Sequence, residues 1–238
     1  MRIAACQTPE ILGDVPAALD CIKQFAAATD ADLLLFPEGF LQGYLVTDEH
    51  VRRHALALDS PSFTAVLARL APLRPTLVFG VLERSFHNTA VVVRDGRLLG
   101  AYRKTHLVPG EAIFTAGRDY PVFDLDGVRF GINICYDTRF PAAAAAVAAQ
   151  GAQVLLVCSQ NMMRRPAAEH WKDRHNAIRA QRARETGLWI ISADVTGERD
   201  PDRVGWGPTS ILDPAGDLVA QVPSMTTGFV VADVPSTD

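Results

Sequence analysis

Three side chains capable of nucleophilic chemistry each follow a strand-like segment of the sequence. Glu38 comes after the apolar run ADLLLF, Lys104 ends the second arm of a hairpin-like segment, and Cys135 ends a run of alternating apolar residues. Hydrolysis of an amide or nitrile requires a thiolate, a base that takes the thiol proton and later activates water, and a positive group for the oxyanion. Cys135, Glu38 and Lys104 are candidates for these three roles.

Cys135 is predicted to lie on a turn from a strand into a helix. Apolar residues occupy every second position from Val128 to Ile134, and an alanine-rich run follows Pro141. At such a turn the backbone N–H of Tyr136 is free to point at an oxyanion, and a following helix N-terminus favours thiolate over thiol. The alternative is a core cysteine, because cysteine is among the most buried residue types.

The sequence around Glu38 indicates a functional residue more clearly than the sequence around Lys104 does. ADLLLF is nearly uncharged and bounded by Pro37, which predicts a buried strand of a parallel or mixed sheet. Glu38 then emerges at the end of that strand, where open sheets place their functional groups. Lys104 by itself is more typical of a solvated edge-strand lysine. Spacing alone does not bring the three side chains together.

The remaining pattern predicts strands and helices in alternation. The strand, helix, strand order of residues 1–36 recurs at 128–158, which indicates two similar halves facing one another. Asp95 and Gly96 join the two arms of a predicted hairpin. The helices expected from periodicity and capping residues are 15–28, 61–70 and one long helix over 166–186.

Composition restricts the class of protein. The 238 residues have no obvious linker, so we expect one domain over 1–238, and the net charge of -4 argues against nucleic acid or an anionic membrane as partner. No run of about 18 apolar residues occurs, and the N-terminal apolar run is short for a signal peptide, so a cytoplasmic location is expected. The remaining cysteines are predicted to be core residues, and His50 and His54 to lie on an exposed helix face rather than at a zinc site.

Three strings resemble the signature segments of the nitrilase superfamily, the carbon–nitrogen hydrolases, and they occur in the order typical of that family. They are FPEGFLQGY, YRKTHL with FTAG following, and GINICYDTRFP. The resemblance covers nearly the whole chain. It implies an α+β fold of the four-layer αββα sandwich kind, and hydrolysis of a small linear amide without cofactor or metal. It also implies a homodimer or higher homo-oligomer.

The resemblance assigns roles to individual residues. Glu38 is identified as the general base, Cys135 as the nucleophile that forms a thioester, and Lys104 as the oxyanion partner together with the Tyr136 backbone N–H. Members of the family commonly carry a second glutamate after the lysine, and Glu111 is the matching candidate. The alternative for Glu111 is a solvated loop residue.

The branch within the superfamily is indicated by the residues around the cysteine. The string CYD at 135–137 resembles the amidase side, whereas true nitrilases have Cys-Trp-Glu at this place. RFP with Arg139 resembles the Nit-like branch, which includes omega-amidase and deaminated-glutathione amidase. That pattern usually continues with a glutamate, and this chain has Ala142 instead.

Two further residues are candidates for the substrate pocket. Arg139 either binds a substrate carboxylate through its planar guanidinium or pairs with an acid such as Asp137. Tyr44 either lines the pocket or packs in the core. Nitrile hydrolysis, decarbamoylation or acyl transfer at the same site, and a binding protein without turnover, remain alternatives to amide hydrolysis.

Overall fold

The computed structural model describes residues 1–236, which form six α-helices and a 14-stranded sheet. The helices are α1 (Val15–Ala28), α2 (Asp48–His54), α3 (Pro61–Leu70), α4 (Pro141–Ala148), α5 (Arg165–Trp171) and α6 (Arg174–Thr186). The strands are β1 (Arg2–Pro9), β2 (Leu33–Leu35), β3 (Thr76–Glu83), β4 (His87–Arg94), β5 (Arg97–Arg103), β6 (Val122–Leu125), β7 (Val128–Ile134), β8 (Val154–Cys158), β9 (Met163–Arg164), β10 (Trp189–Asp200), β11 (Arg203–Trp206), β12 (Ser210–Leu212), β13 (Leu218–Gln221) and β14 (Gly228–Asp233).

The sheet has two halves that join through β10. Its main strand order is β5-β4-β3-β2-β1-β10-β8-β7-β6. Residues 189–193 of β10 pair with β8, whereas residues 194–196 pair with β1. Strands β3, β2, β1, β10, β8 and β7 run parallel, and β14 pairs antiparallel with β1. The start and the end of the described chain therefore lie in the same half of the sheet.

Three apolar clusters hold the layers together. One cluster combines residues of both halves, such as Leu35 and Val78 from the first with Ile132 and Leu156 from the second. A second cluster packs α1 and α3 on the outer face of the first half, and a third packs α4 and α6 on the second. The layers are thus helix, sheet, sheet, helix, and the predicted αββα sandwich is confirmed.

Local signals predicted α1 and α3 with their observed bounds. Asp14 accepts a hydrogen bond from Ala17 N at 2.9 Å, and Ser60 accepts one from Phe63 N at 3.2 Å, so each side chain caps its helix. Each helix has proline in its first turn, where the missing N–H is not needed.

Two local predictions were wrong. The long helix over 166–186 is interrupted at Lys172 and Asp173, because α5 packs beside β9 and β11 whereas α6 packs on α4. His50 is only 8% exposed, and its Nε2 lies 2.9 Å from Gly43 O on the inner face of α2. The predicted exposed face of this short helix therefore does not include His50.

The parallel strands bring separate parts of the chain to one edge of the sandwich. The segments after β2, β7 and β8 carry Glu38, Cys135 and Asn161, and all three side chains border one cavity. None of the helices within residues 1–236 is long and apolar enough to cross a membrane.

Candidate active site

A cavity of about 500 Å³ lies at this edge. Its wall includes apolar side chains, among them Met162, Met163 and Ile178. Within the described part of the chain, no group of three or more His, Cys, Asp or Glu side chains is arranged to hold a metal ion. Of the residues predicted from the sequence, those that line the cavity are Glu38, Tyr44, Lys104, Cys135, Tyr136 and Arg139.

The backbone at Glu38 is held closely between neighbouring strands. Glu38 N donates to Ser159 O at 3.2 Å, and Gly80 N on β3 donates to Pro37 O at 3.0 Å. A Cβ atom at Gly80 would lie 2.0 Å from Gly39 N and 2.6 Å from the Glu38 carbonyl carbon. Only glycine at position 80 therefore allows the Glu38 turn to approach the sheet this closely.

The side chains of Glu38, Lys104 and Glu111 meet in one buried cluster. Lys104 Nζ donates to Glu38 Oε1 at 2.7 Å and to Glu111 Oε1 at 2.9 Å. Asn88 Nδ2 donates to the same two oxygens at 2.7 and 3.0 Å, and Tyr44 OH donates to Glu111 Oε1 at 2.6 Å. Lys104 is 1% exposed and Glu111 0%, so the solvated alternatives for these two residues are excluded.

The two oxygens of Glu38 have different surroundings. Oε1 accepts from Lys104 and Asn88, whereas Oε2 is buried without a hydrogen-bond partner among the described residues. Burial raises the pKa of Glu38 to about 7, although the Lys104 ammonium acts in the opposite direction. Glu38 is thus a carboxylate that exchanges a proton near neutral pH and has one oxygen free to do so.

The charge on Lys104 is favoured by its neighbours. Burial disfavours the ammonium, but the neighbouring carboxylates of Glu38 and Glu111 favour it, and the pKa of Lys104 is raised above its ordinary value. Lys104 is therefore a cation at neutral pH, in the cavity that the Cys135 thiol also lines.

Cys135 lies on a strained turn at the end of β7. Its φ is +43°, a left-handed conformation that is uncommon for residues other than glycine and concentrates at functional sites. Cys135 begins a 3₁₀ helix that ends at Arg139, and the first N–H groups of such a turn, including that of Tyr136, have no partner within it. The predicted position between strand and helix is confirmed.

Burial opposes the thiolate that the position before a helix is expected to favour. Burial raises the pKa of the Cys135 thiol well above its ordinary value, Glu38 adds to the effect, and Lys104 opposes it. The helix that follows the cysteine directly is only the five-residue 3₁₀ turn, and α4 begins later, at Pro141. Desolvation therefore outweighs the Lys104 charge, and the thiol needs a base to ionise.

Asp137 connects the cysteine turn to the loop after Lys104. Its Oδ2 accepts from Tyr102 OH at 2.7 Å, and its Oδ1 accepts from His106 N at 2.8 Å. The guanidinium carbon of Arg139 instead lies 4.7 Å from the centre of the Trp171 ring. Of the two readings of Arg139, the structure therefore does not show pairing with Asp137, and the side chain is an exposed part of the cavity wall.

Two asparagines at the site were not predicted from the sequence. Asn88 bridges Glu38 and Glu111, and Asn161 Oδ1 lies 3.8 Å from Cys135 Sγ. Each has a signal that could have been used. Asn88 is a polar residue inside the strand-like run HNTAVVV, and Asn161 belongs to the polar string SQN directly after a buried strand.

A buried carboxylate, a lysine and a cysteine thus line one cavity at the strand ends of an αββα sandwich. The model of the carbon–nitrogen hydrolase family matches residues 2–238, and the chain belongs to this family. A Pseudomonas protegens protein described as a hydrolase in the pqqF 5' region is 35% identical over 92% of this chain and 78% of that protein. An (R)-stereoselective amidase from Pseudomonas sp. is 31% identical over 81% of this chain and 69% of that protein.

Solved structures agree with this assignment. A mutant of the amidase from Nesterenkonia sp. AN1 superposes with a TM-score of 0.84 at 28% identity, covering 99% of this chain and 93% of that one. An omega-amidase from Xenopus laevis is 32% identical over 88% of this chain and 79% of that protein. The chain is therefore a carbon–nitrogen hydrolase of the amidase type, acting on a small molecule.

Proposed function

We propose that this enzyme cleaves a non-peptide C–N bond of a small linear amide through a thioester on Cys135, releasing ammonia or an amine and a carboxylic acid. The observation that carries the proposal is one cavity bordered by the Cys135 thiol, the Lys104 ammonium and Glu38, whose Oε2 has no hydrogen-bond partner within residues 1–236. A relative supports it, because the Nesterenkonia amidase carries the product of Michael addition of acrylamide at its active-site cysteine.

The first half of the reaction forms the thioester. The substrate carbonyl oxygen lies against Lys104 Nζ and the Tyr136 N–H while Glu38 Oε2 takes the thiol proton. The sulfur attacks the carbonyl carbon, and the negative charge moves to the oxygen. Glu38 returns its proton to the substrate nitrogen, the C–N bond breaks, and ammonia or an amine leaves.

The second half hydrolyses the thioester. Glu38 takes a proton from water, and the resulting hydroxide attacks the thioester carbon. The C–S bond breaks, the carboxylic acid leaves, and Cys135 regains its proton from Glu38. Glu111 keeps Lys104 in place throughout, and we propose it as the second glutamate of the site, acting through Lys104 and Tyr44, which both donate to its Oε1.

The dependence of kcat/KM on pH tests the role of Glu38. The base accepts a proton only when ionised, so with a neutral amide kcat/KM should fall about tenfold per pH unit below about 7, the value to which burial raises the Glu38 pKa. Asn88 stabilises the ionised form, so Asn88→Ala should move this acidic limb to higher pH. An acidic limb at the ordinary glutamate pKa of about 4.3 would contradict the assignment.

Arg139 is proposed to bind a carboxylate at the far end of the substrate, which favours omega-amides over simple aliphatic amides. Its guanidinium stacks on Trp171 at the cavity wall, and stacking holds the planar group without using its N–H donors. Arg139→Gln should raise KM about tenfold for an omega-amide and leave KM for a neutral amide of equal length unchanged. Equal effects on both substrates, measured by ammonia release, would assign Arg139 a structural role.

Three properties of the whole molecule are also proposed. We propose that residues 1–238 form one domain, which the pairing of β1 with β14 supports. We also propose that the protein is cytoplasmic and assembles as a homodimer or higher homo-oligomer. Light scattering of the purified protein measures the assembly, and a mass equal to one chain would reject it.

A further inference from the structure

A second buried network lies behind the cysteine, apart from the lysine–glutamate cluster. We propose that Asn161 is a positioning residue whose Oδ1 accepts a hydrogen bond from the Cys135 thiol. Asp194 sets the orientation of the Asn161 amide by binding its NH₂ group on the side away from the sulfur. The proposal rests on the proposed function of Cys135 as nucleophile. It adds two residues that act through the sulfur rather than on the substrate.

The contacts run from the cavity wall, at Cys135 and Asn161, to the buried Asp194. Cys135 Sγ lies 3.8 Å from Asn161 Oδ1, within the range of a hydrogen bond to sulfur. On the other side Asn161 Nδ2 donates to Asp194 Oδ2, and Asn161 N donates to Asp194 Oδ1 at 2.9 Å. Val195 N also donates to Asp194 Oδ1 at 2.9 Å. Asn161 is 4% exposed and Asp194 0%.

Asp194 fixes which end of the Asn161 amide faces the sulfur. An ionised carboxylate only accepts hydrogen bonds, so the NH₂ group of Asn161 must face Asp194 and the carbonyl must face Cys135. Arg179 supports the ionised form, since its Nη2 lies 3.9 Å from Asp194 Oδ2 while donating to Ser159 Oγ at 3.1 Å. Burial raises the pKa of Asp194 to about 6, so the carboxylate is ionised at neutral pH.

A hydrogen-bond acceptor beside the sulfur affects whether the Cys135 thiol is protonated. Besides Asp194 and Arg179, the groups whose charges interact with the thiol include Glu38, Lys104 and Tyr44, and Arg139 and His175 line the same cavity. A carbonyl oxygen that faces the sulfur stabilises S–H and disfavours the thiolate. In the free enzyme the thiol is thereby held protonated on the Asn161 side, while Glu38 Oε2 has no hydrogen-bond partner among the described residues.

Asp194→Asn tests the arrangement because it should reverse the Asn161 amide. Two backbone N–H groups point at the Oδ1 position, so the new side chain must place its oxygen there and its NH₂ towards Asn161. Asn161 then turns its carbonyl to this NH₂ and its own NH₂ to Cys135, which stabilises the thiolate. The Cys135 thiol pKa should fall by at least about one unit, so alkylation by iodoacetamide at neutral pH should become about tenfold faster.

Loss of the Asp194 charge alone would also lower the thiol pKa, and a double variant separates the two causes. If the effect acts through the amide, Asp194→Asn should change little in an Asn161→Ala background. An undiminished effect there, or no change in the single variant, overturns the proposal. Asp124→Asn, which removes an equal charge at an exposed position on β6, is the matched control and should alkylate at the original rate.

The readout is independent of turnover. Mass spectrometry identifies the cysteine that is alkylated. Failure of the proposed function would be seen as retained activity in Cys135→Ala, whereas failure of this inference would be seen in the alkylation rate. If Asp194→Asn does not fold, Asn161→Ala alone decides. Removal of the acceptor should speed alkylation of Cys135 about threefold, and an unchanged or slower rate overturns the proposal.

Discussion

Replacement of Cys135 with alanine is expected to reduce amide hydrolysis by at least about 10⁴-fold without unfolding the protein. Lys104 does not replace Cys135 as nucleophile, since it is an ammonium hydrogen-bonded to Glu38 and Glu111. The fold should survive because Cys135 is only half-buried at the cavity wall, so losing its sulfur leaves little new void in the core. Ammonia release measures turnover, and circular dichroism measures the fold.

Cys158 provides the matched control. It is fully buried on β8 and lies beside Ile134 of β7 in the sheet register, so it is a core cysteine near the site. Cys158→Ala should cost about 1 kcal/mol in the free energy of unfolding and retain most of the activity. Retained activity in Cys135→Ala would reject the thioester route. Equal loss in both variants would show that the effect of Cys135→Ala reflects packing.

The elements that carry the site could be predicted from the sequence because their signals are local. Asp14 and Ser60 cap the two outer helices of the first half, and the apolar alternation before Cys135 predicts β7. The break between α5 and α6 was not predictable in the same way. It follows from the different surfaces that the two helices cover, which depend on contacts distant in sequence.

The family resemblance predicted which residues form the site and what their roles are, but not the electrostatic balance on which those roles depend. Whether Glu38 is a base depends on burial raising its pKa more than Lys104 lowers it, and the sequence does not contain that balance. The same holds for Cys135, where burial raises the thiol pKa more than Lys104 lowers it. Asn88 and Asn161 were missed because their roles appear only when strands from separate parts of the chain are side by side.

Replacement of Lys104 with methionine is expected to cost more than the loss of one oxyanion donor. Removing such a donor lowers kcat by roughly 10² to 10³. In this site the same ammonium also holds down the pKa of Glu38, and without it two buried carboxylates, Glu38 and Glu111, remain beside each other. The Glu38 pKa should rise above about 7, so Glu38 would be protonated at neutral pH and both roles of Lys104 would be lost together.

The pH profile of a double variant separates the two losses. Glu111 raises the pKa of Glu38, so Lys104→Met combined with Glu111→Gln should return the acidic limb of kcat/KM towards that of the original enzyme. The deficit of roughly 10² to 10³ at the alkaline plateau should remain, since no cation faces the oxyanion. A plateau restored to the original rate would mean that Lys104 acts on Glu38 alone and that the oxyanion is held by the Tyr136 N–H without it.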